Sequence, residues 1–326
     1  MADLTLSAGS LIRRVAIREY APLAAIVLAW LAIGITTGHA DAVRLFAAIT
    51  FVRAARSLTA PGTLVPLRKR IRRGQHQAQA TRVALTVELL ALPFAAAVLA
   101  GIVVFLWTAG QDQMAVLCLF FAPAVPARCL IPFAARREFA RVYRPVLAAV
   151  GLGLIGAGAL MGVGIGVFAL LFAARDWLAF LLSYTLAPAI RLKAGDPIDP
   201  LRWREIAEYS HARARKLAAY RFSKVFLHAL LGPFGTVAAR TGRGLRLDRK
   251  ADRFVPAHPA VLALLAIAAA VSCATLVLVI PEPALLVVAA TLLRVTAAAG
   301  NILIWRWLSN AALDDRVAEE DDDDEL

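Results

Sequence analysis

Residues 259–280 read PAVLALLAIAAAVSCATLVLVI, an apolar run that contains no charged side chain. About 20 consecutive apolar residues are needed to cross the hydrocarbon core of a bilayer, which is roughly 30 Å thick. A segment in that environment has no water to bond with, so its backbone must satisfy its own hydrogen bonds, and a helix does this. The stretch therefore predicts a transmembrane helix.

The rest of the chain repeats this pattern. Hydrophobic residues make up 60% of the sequence and the mean hydropathy is +0.69, both above the range of soluble domains. The alternation typical of membrane β-strands is missing. Cys118, Cys129 and Cys273 lie in or beside apolar runs, which favours buried side chains over disulfides. We predict an all-α, polytopic helical membrane protein with about eight transmembrane helices.

The predicted spans differ in how apolar they are. They cover approximately residues 20–37, 42–66, 83–107, 114–134, 146–172, 177–190, 259–280 and 284–305. The second span is the least typical because three arginines, Arg44, Arg53 and Arg56, interrupt it. We expect four parts. They are a six-span membrane lobe (1–190), a basic cytoplasmic loop with amphipathic or interfacial helices (191–257), a two-span hairpin (258–308) and an acidic disordered tail (309–326).

Loop charges predict the orientation of the chain. Lys and Arg concentrate in cytoplasmic loops. The loops predicted to lie outside, at 38–41, 108–113, 173–176 and 281–283, contain a single positive residue, Arg175. The prediction is therefore a multi-pass protein of the cell inner (plasma) membrane with both termini in the cytoplasm.

The interval 191–256 carries fifteen Lys or Arg residues against six acidic ones. Anionic lipid head groups already provide partners for these charges, which makes nucleic acid an unlikely partner. Within the interval, residues 200–224 look helical. Residues 226–239 are apolar but too short to span, which favours an interfacial or re-entrant segment.

Four arginines are predicted at membrane depth, where a charge is costly and commonly marks a functional pathway. Arg294 lies near the middle of an otherwise apolar span, and Arg53 is nearly as deep if the second span crosses fully; Arg56 and Arg128 are the further candidates. Glu88 is the acid best placed to pair with them. Guanidinium groups bind phosphate well, so these arginines are candidates to bind an anionic head group. The alternative is that they form structural pairs or extend to the interface.

Two glycine patterns in the sequence have a structural interpretation and a functional one. Gly158, Gly162 and Gly166 are four residues apart, which on one helix would form a face for close helix packing. A GxGxxG pattern begins at Gly151, but the strand that this motif requires does not precede it. The sequence offers no recognisable catalytic or metal-binding motif and predicts no cofactor.

The first 190 residues resemble one half of a flippase. The second span, at 42–66, runs into LRKRIRRG at 67–74, and the fourth span ends in IPFAARREF at 131–139. A Gly-rich fifth span and a short sixth follow. This order is similar to that of polysaccharide or lipid-linked oligosaccharide flippases of the multidrug/oligosaccharidyl-lipid/polysaccharide exporter superfamily. Such proteins have two six-helix lobes, so the resemblance implies a half-size or degenerate member that forms a homodimer or assists glycan-export partner proteins.

The leading functional hypothesis is translocation, or assistance in translocation, of an anionic lipid-linked saccharide during polysaccharide export. One alternative is a non-transporting membrane scaffold that recruits partners through its basic cytoplasmic loops. Another is a membrane-embedded transferase that uses a polyprenyl-phosphate.

Overall fold

A computed structural model describes residues 21–60, 77–134, 137–186, 226–235, 258–279 and 282–323, with 207, 208, 210, 211, 214, 215 and 238. These parts of the chain are helical apart from short turns. The helices are α1 (Ala21–Thr37), α2 (His39–Thr59), α3 (Gln77–Thr108), α4 (Asp112–Phe121), α5 (Ala124–Ala134), α6 (Arg137–Leu160), α7 (Ile165–Leu186), α8 (Pro259–Val279) and α9 (Pro283–Asp323). The all-helical fold class is confirmed.

Helices that are joined by short turns form antiparallel hairpins. Between α1 and α2 the chain reverses at Gly38, whose φ of 91° is strained for any residue with a side chain. Trp30 and Phe46 lie at equal distances from this glycine, and their ring centroids are 5.6 Å apart. Between α8 and α9, the Thr296 hydroxyl donates to the Ala266 carbonyl at 3.1 Å. The ring centroids of Trp30 and Phe172 are 5.5 Å apart, and Asn301 of α9 bonds to Leu58 at the end of α2. The turns that precede α2, α7 and α9 therefore lie at one end of the bundle, called here the short-turn end.

Helix α2 lies at the centre of the bundle. It contacts α1, α3, α4, α5, α7 and α9. Its side chains are buried from Leu45 to Ser57 except for those of Arg53 and Arg56. The side chain of Asn301 on α9 holds the end of this helix, since its amide donates to the carbonyls of Leu58 (2.8 Å) and Ala60 (3.1 Å).

Five helices of the described chain are long and apolar enough to cross a membrane. They cover Leu85–Thr108, Asp112–Ile131, Ile165–Leu182, Pro259–Val279 and Pro283–Asn310. Two shorter apolar helices, Pro22–Thr37 and Ala148–Leu160, accompany them. The membrane-protein class thus agrees with the structure, while five spans, rather than eight, meet the criteria of length and composition.

The predicted turn at 173–176 is wrong. Arg175 and Asp176 lie inside α7, and the chain turns instead at residues 161–164, where Gly162 has a φ of 62°. The charged pair was interpreted as a solvent-exposed turn, but Asp176 is only 6% exposed and bonds to arginine side chains. The fifth predicted span is correspondingly shorter and the sixth longer.

The tail also differs from the prediction of disorder. Helix α9 continues to Asp323. Alanine, leucine and glutamate favour helix, and an existing helix extends more easily than a new one begins. The N-terminal lead, the basic turn at 67–74 and most of the interval 191–257 lie outside the described residues, so those predictions stay predictions.

Parts of that interval nevertheless pack on the bundle. Residues 226–231 are helical, Gly232–Phe234 form a 3-10 turn, and the segment contacts α1 and α2. Ala207 and Ala214 are buried in a cluster with Trp305 of α9. Residues 226–235 therefore pack against the helix bundle, and the cytoplasmic location of the interval stays a prediction.

Candidate functional site

The site begins on α2, where two arginines break a long buried run. Val52, Ala54 and Ala55 are each 1% exposed, whereas Arg53 and Arg56 keep intermediate exposure. Residues three apart share a helix face. Both side chains therefore extend from one face of the central helix, where they keep partial exposure.

Arg53 lies near charged groups from three other helices. It is within electrostatic range of Arg128 on α5, Arg294 on α9, and both Arg175 and Asp176 on α7. Three members of this group, Arg53, Arg128 and Arg294, are among the four arginines proposed from the sequence. The fourth, Arg56, interacts electrostatically with Arg128. The fold brings them together because α5, α7 and α9 all pack against α2.

Asp176 neutralises part of this charge. It accepts hydrogen bonds from Arg128 Nε and from Arg175 Nη2, the latter at 2.9 Å. Arg128 also lies over the Phe121 ring at 5.0 Å, and Arg175 lies over Phe172 at 5.4 Å. These cation–π contacts and ion pairs fix both guanidinium groups in one orientation.

A second carboxyl group lies on α3. Glu88 interacts electrostatically with Arg56, and the Cys129 thiol is within hydrogen-bonding reach of both side chains. The Nε atom of Arg56 is buried without a hydrogen-bond partner among the described residues. Arg56 is thus partly satisfied by α3 and α5 and keeps donor capacity.

Arg294 has a different partner. Its Nη1 donates to Nδ1 of His228 at 3.2 Å, and both side chains are buried. Because arginine only donates, the histidine accepts at Nδ1 and carries its proton on Nε2. The imidazole ring also packs edge-on against Phe46 of α2, with centroids 5.4 Å apart.

Among the described residues, the cluster contains more positive than negative groups. It contains the guanidinium groups of Arg53, Arg56, Arg128, Arg175 and Arg294 but, within the described residues, the carboxyl groups of Glu88 and Asp176 alone. Planar guanidinium groups suit the oxygens of a phosphate or carboxylate, which accept two hydrogen bonds side by side. Chemically, the arrangement favours binding of an anion.

The three glycines do not form a face of one helix. Gly158 lies near the end of α6, Gly162 in the turn and Gly166 at the start of α7. A Cβ atom at Gly158 would lie 2.8 Å from Leu171, and one at Gly166 would lie 2.8 Å from Phe120, whereas Gly162 has nothing within 4 Å. The close approaches therefore occur within a hairpin and against α4, because the predicted single helix is broken at residue 161.

The sequence interpretation missed Asp176, Arg175 and His228 as members of this cluster. The first two were assigned to a turn, although the 14 residues left for the sixth span were too few to cross a bilayer. That length could have indicated that the acid lies inside a span. The histidine gave no signal, since it belongs to a segment too short to span.

Comparisons with known proteins give no relative for this chain. Neither the family models, nor the curated proteins, nor the solved structures include a match. The residues themselves carry the functional argument that follows.

Proposed function

We propose that this protein binds the anionic head group of a membrane lipid at the arginine cluster and assists its translocation. The head group is a phosphate or pyrophosphate, and a lipid-linked saccharide used in polysaccharide export fits this chemistry. Arg53 and Arg294 contact the head group directly, with Arg56 and Arg128 contributing charge. The cell inner membrane, with both termini cytoplasmic, is the location that we propose.

One observation carries this proposal. Arg53 and Arg56 are the partly exposed side chains on the otherwise buried stretch of α2 from Leu45 to Ser57, and among the described residues around them guanidinium groups outnumber carboxyl groups. Burying such charges is costly unless they are paired. An anionic ligand would offset that excess, which a purely structural role leaves unexplained.

Binding can be measured with farnesyl phosphate as the probe, using the protein in phosphatidylcholine nanodiscs and native mass spectrometry. A charged hydrogen bond contributes about 1.5–3 kcal/mol, so Arg53→Gln with Arg294→Gln is expected to weaken binding by at least about a hundredfold. Arg44→Gln is the matched control. Arg44 is on the same helix, but it is paired with Asp41 and 31% exposed near the short-turn end. Equal affinity in the double variant and the control would reject the site.

Translocation needs a separate test. In cells, the double variant should insert normally but lose surface glycan, while Arg44→Gln should retain it. A scaffold that recruits partners through its basic loops predicts unchanged glycan in both variants. Turnover of a polyprenyl-phosphate by the purified protein would favour the transferase alternative instead.

A further inference from the structure

Residues 226–235 enter the bundle deeply. Phe46, which contacts His228, lies seven residues into α2, or about 10 Å from the short-turn end at 1.5 Å per residue. Arg294, its hydrogen-bond partner, lies about 16 Å into α9 by the same measure. The interval that contains the segment begins after α7 and ends before α8, both at the opposite end of the bundle. The end of α7 and the start of α8 therefore lie on the same side of the bundle, as expected for a re-entrant segment.

The segment doubles back on itself. Gly232 has a φ of 54°, a conformation that favours glycine. A Cβ atom added at Gly235 would lie 2.3 Å from the Leu227 carbonyl oxygen, so that glycine permits a backbone contact that no other residue allows. Irregular backbone at membrane depth is tolerated where it is covered by protein or lines a cavity.

Its two faces differ in character. His228 is buried against the bundle, and Gly235 is buried against the backbone of Leu227 and His228. Four large apolar side chains point away from it and are exposed, namely Phe226 (65%), Leu230 (66%), Leu231 (48%) and Phe234 (38%). In a bilayer this outer face contacts lipid. The segment is therefore a thin layer that separates the lipid hydrocarbon on one side from Phe46 and Arg294 on the other.

The hydrogen bond to Arg294 connects this layer to the arginine cluster. His228 is an uncharged acceptor for a guanidinium group that belongs to the proposed head-group site. A phosphate oxygen is a stronger acceptor for the same donor, because a hydrogen bond between two charged groups is shorter and stronger. Binding of the head group would therefore replace the histidine.

We propose that segment 226–235 is a lateral gate through which a phosphate-bearing lipid moves from the bilayer to Arg294, with the His228–Arg294 hydrogen bond as its latch. The ligand identity rests on the proposed function above, whereas the gate itself does not. In the closed state the segment covers Phe46 and separates the cluster from lipid. In the open state the head group binds Arg294 while its hydrocarbon tail stays in the membrane.

Distance measurements between spin labels test this directly. Labels are placed at Leu28→Cys on α1 and Leu230→Cys on the segment, both exposed to lipid, after Cys118, Cys129 and Cys273 are replaced by serine. His228→Ala removes the latch. A lost charged hydrogen bond of about 1.5 kcal/mol corresponds to about a tenfold shift in the open-to-closed ratio. We therefore expect the ratio of the longer-distance to the shorter-distance population to be about tenfold larger than in the parent.

Two further variants keep the test falsifiable. His228→Asn places an amide oxygen where Nδ1 lies and should restore the parent distances. Gly235→Ala disrupts the doubled-back turn and should open the segment with His228 intact. Unchanged distances in both His228→Ala and Gly235→Ala would overturn the gate. A change in the control pair Leu28 and Leu160 in those variants would also overturn it, because it would mean that the whole bundle loosens.

The binding of the ligand is tested in an experiment separate from the test of the gate. Adding farnesyl phosphate to the parent protein in phosphatidylcholine nanodiscs should enlarge the longer-distance population, and phosphatidylcholine alone should not. If His228→Ala opens the segment while farnesyl phosphate neither binds nor changes the distances, the gate is supported and the proposed lipid-phosphate function fails.

Discussion

Helices α2 and α8 are both 21 residues long, yet they occupy opposite positions in the fold. The apolar α8 packs mainly against α9 and exposes large side chains such as Leu264 (66%) and Ile267 (60%). The arginine-bearing α2 is surrounded by other helices and is almost entirely buried. In this bundle the more apolar helix is the more exposed one, and the central helix is among those that carry charge.

The physical reason lies in what each helix contacts. A side chain facing lipid finds no polar partner, so it must be apolar. A side chain facing other helices finds backbone carbonyls, carboxylates and aromatic rings, so a charge there can be paired. The comparison predicts that substitutions around α2 have large effects on the stability of the protein. Equivalent substitutions that face lipid should have small effects on it.

The largest effect is expected at Asp176. Replacing it with alanine leaves Arg128 and Arg175 without their shared acceptor, and removing one partner of a buried ion pair costs about 3–5 kcal/mol. Asp41→Ala breaks an exposed pair with Arg44 and should cost at most about 1 kcal/mol. Unfolding free energies measured in detergent would compare the two. Similar losses would mean that the central cluster is as well solvated as the surface.

Asn301 should come next. Asn301→Ala removes two hydrogen bonds to the last carbonyls of α2, and each contributes about 0.5–1.5 kcal/mol, so a loss of about 1–3 kcal/mol is expected. Asn310→Ala, at an exposed position of the same helix, serves as the control. The measurement is again the unfolding free energy. A neutral Asn301→Ala would show that α9 does not hold the end of α2.

Alanine substitutions at two glycines should change the stability by smaller amounts and in opposite directions. A Cβ atom at Gly300 would lie 2.7 Å from the Leu58 side chain, whereas Gly101 on α3 has nothing within 4 Å. Gly300→Ala should lower stability by about 1 kcal/mol through overpacking. Gly101→Ala should raise it by about 0.5–1 kcal/mol through helix propensity. Melting temperatures that shift in the same direction would contradict the difference in packing.

The smallest effect concerns pH. Burial, followed by Arg215 and Arg306, lowers the pKa of His211 below its usual value of 6.5. The unfolded chain therefore takes up a proton first as the pH falls, so stability is fully present above about pH 6.5 and decreases below it. His211→Ala should flatten the melting temperature between pH 7 and pH 5, while the exposed His39→Ala should not. An unchanged pH profile in His211→Ala would contradict this.

Much of the helical framework was predictable because lipid-facing helices are apolar throughout. The boundaries of α8 and of α3 follow closely from the predicted spans at 259–280 and 83–107. The turn between α6 and α7 was not predictable in the same way. The charges of Arg175 and Asp176 suggested a turn at residues 173–176. In a sequence, a buried aspartate that pairs with a distant arginine cannot be distinguished from a turn residue.

The arginines of the candidate site were found from the cost of placing charge in a membrane, and the fold brings Arg53, Arg56, Arg128 and Arg294 close together. Their binding role stays a prediction. The position of His228 was not accessible from the sequence, because its contacts with Phe46 and Arg294 join residues far apart in the chain.

The single-residue turn at Gly38 has a consequence for biogenesis. Each arginine costs about 2.5–3.5 kcal/mol when a helix enters the membrane alone, so α2 is a poor candidate for independent insertion. The tight reversal delivers α1 and α2 to the insertion machinery as one unit, with Trp30 already against Phe46. One flank of α2 packs against α9, which is synthesised more than 200 residues later, so this contact forms late in the synthesis of the chain.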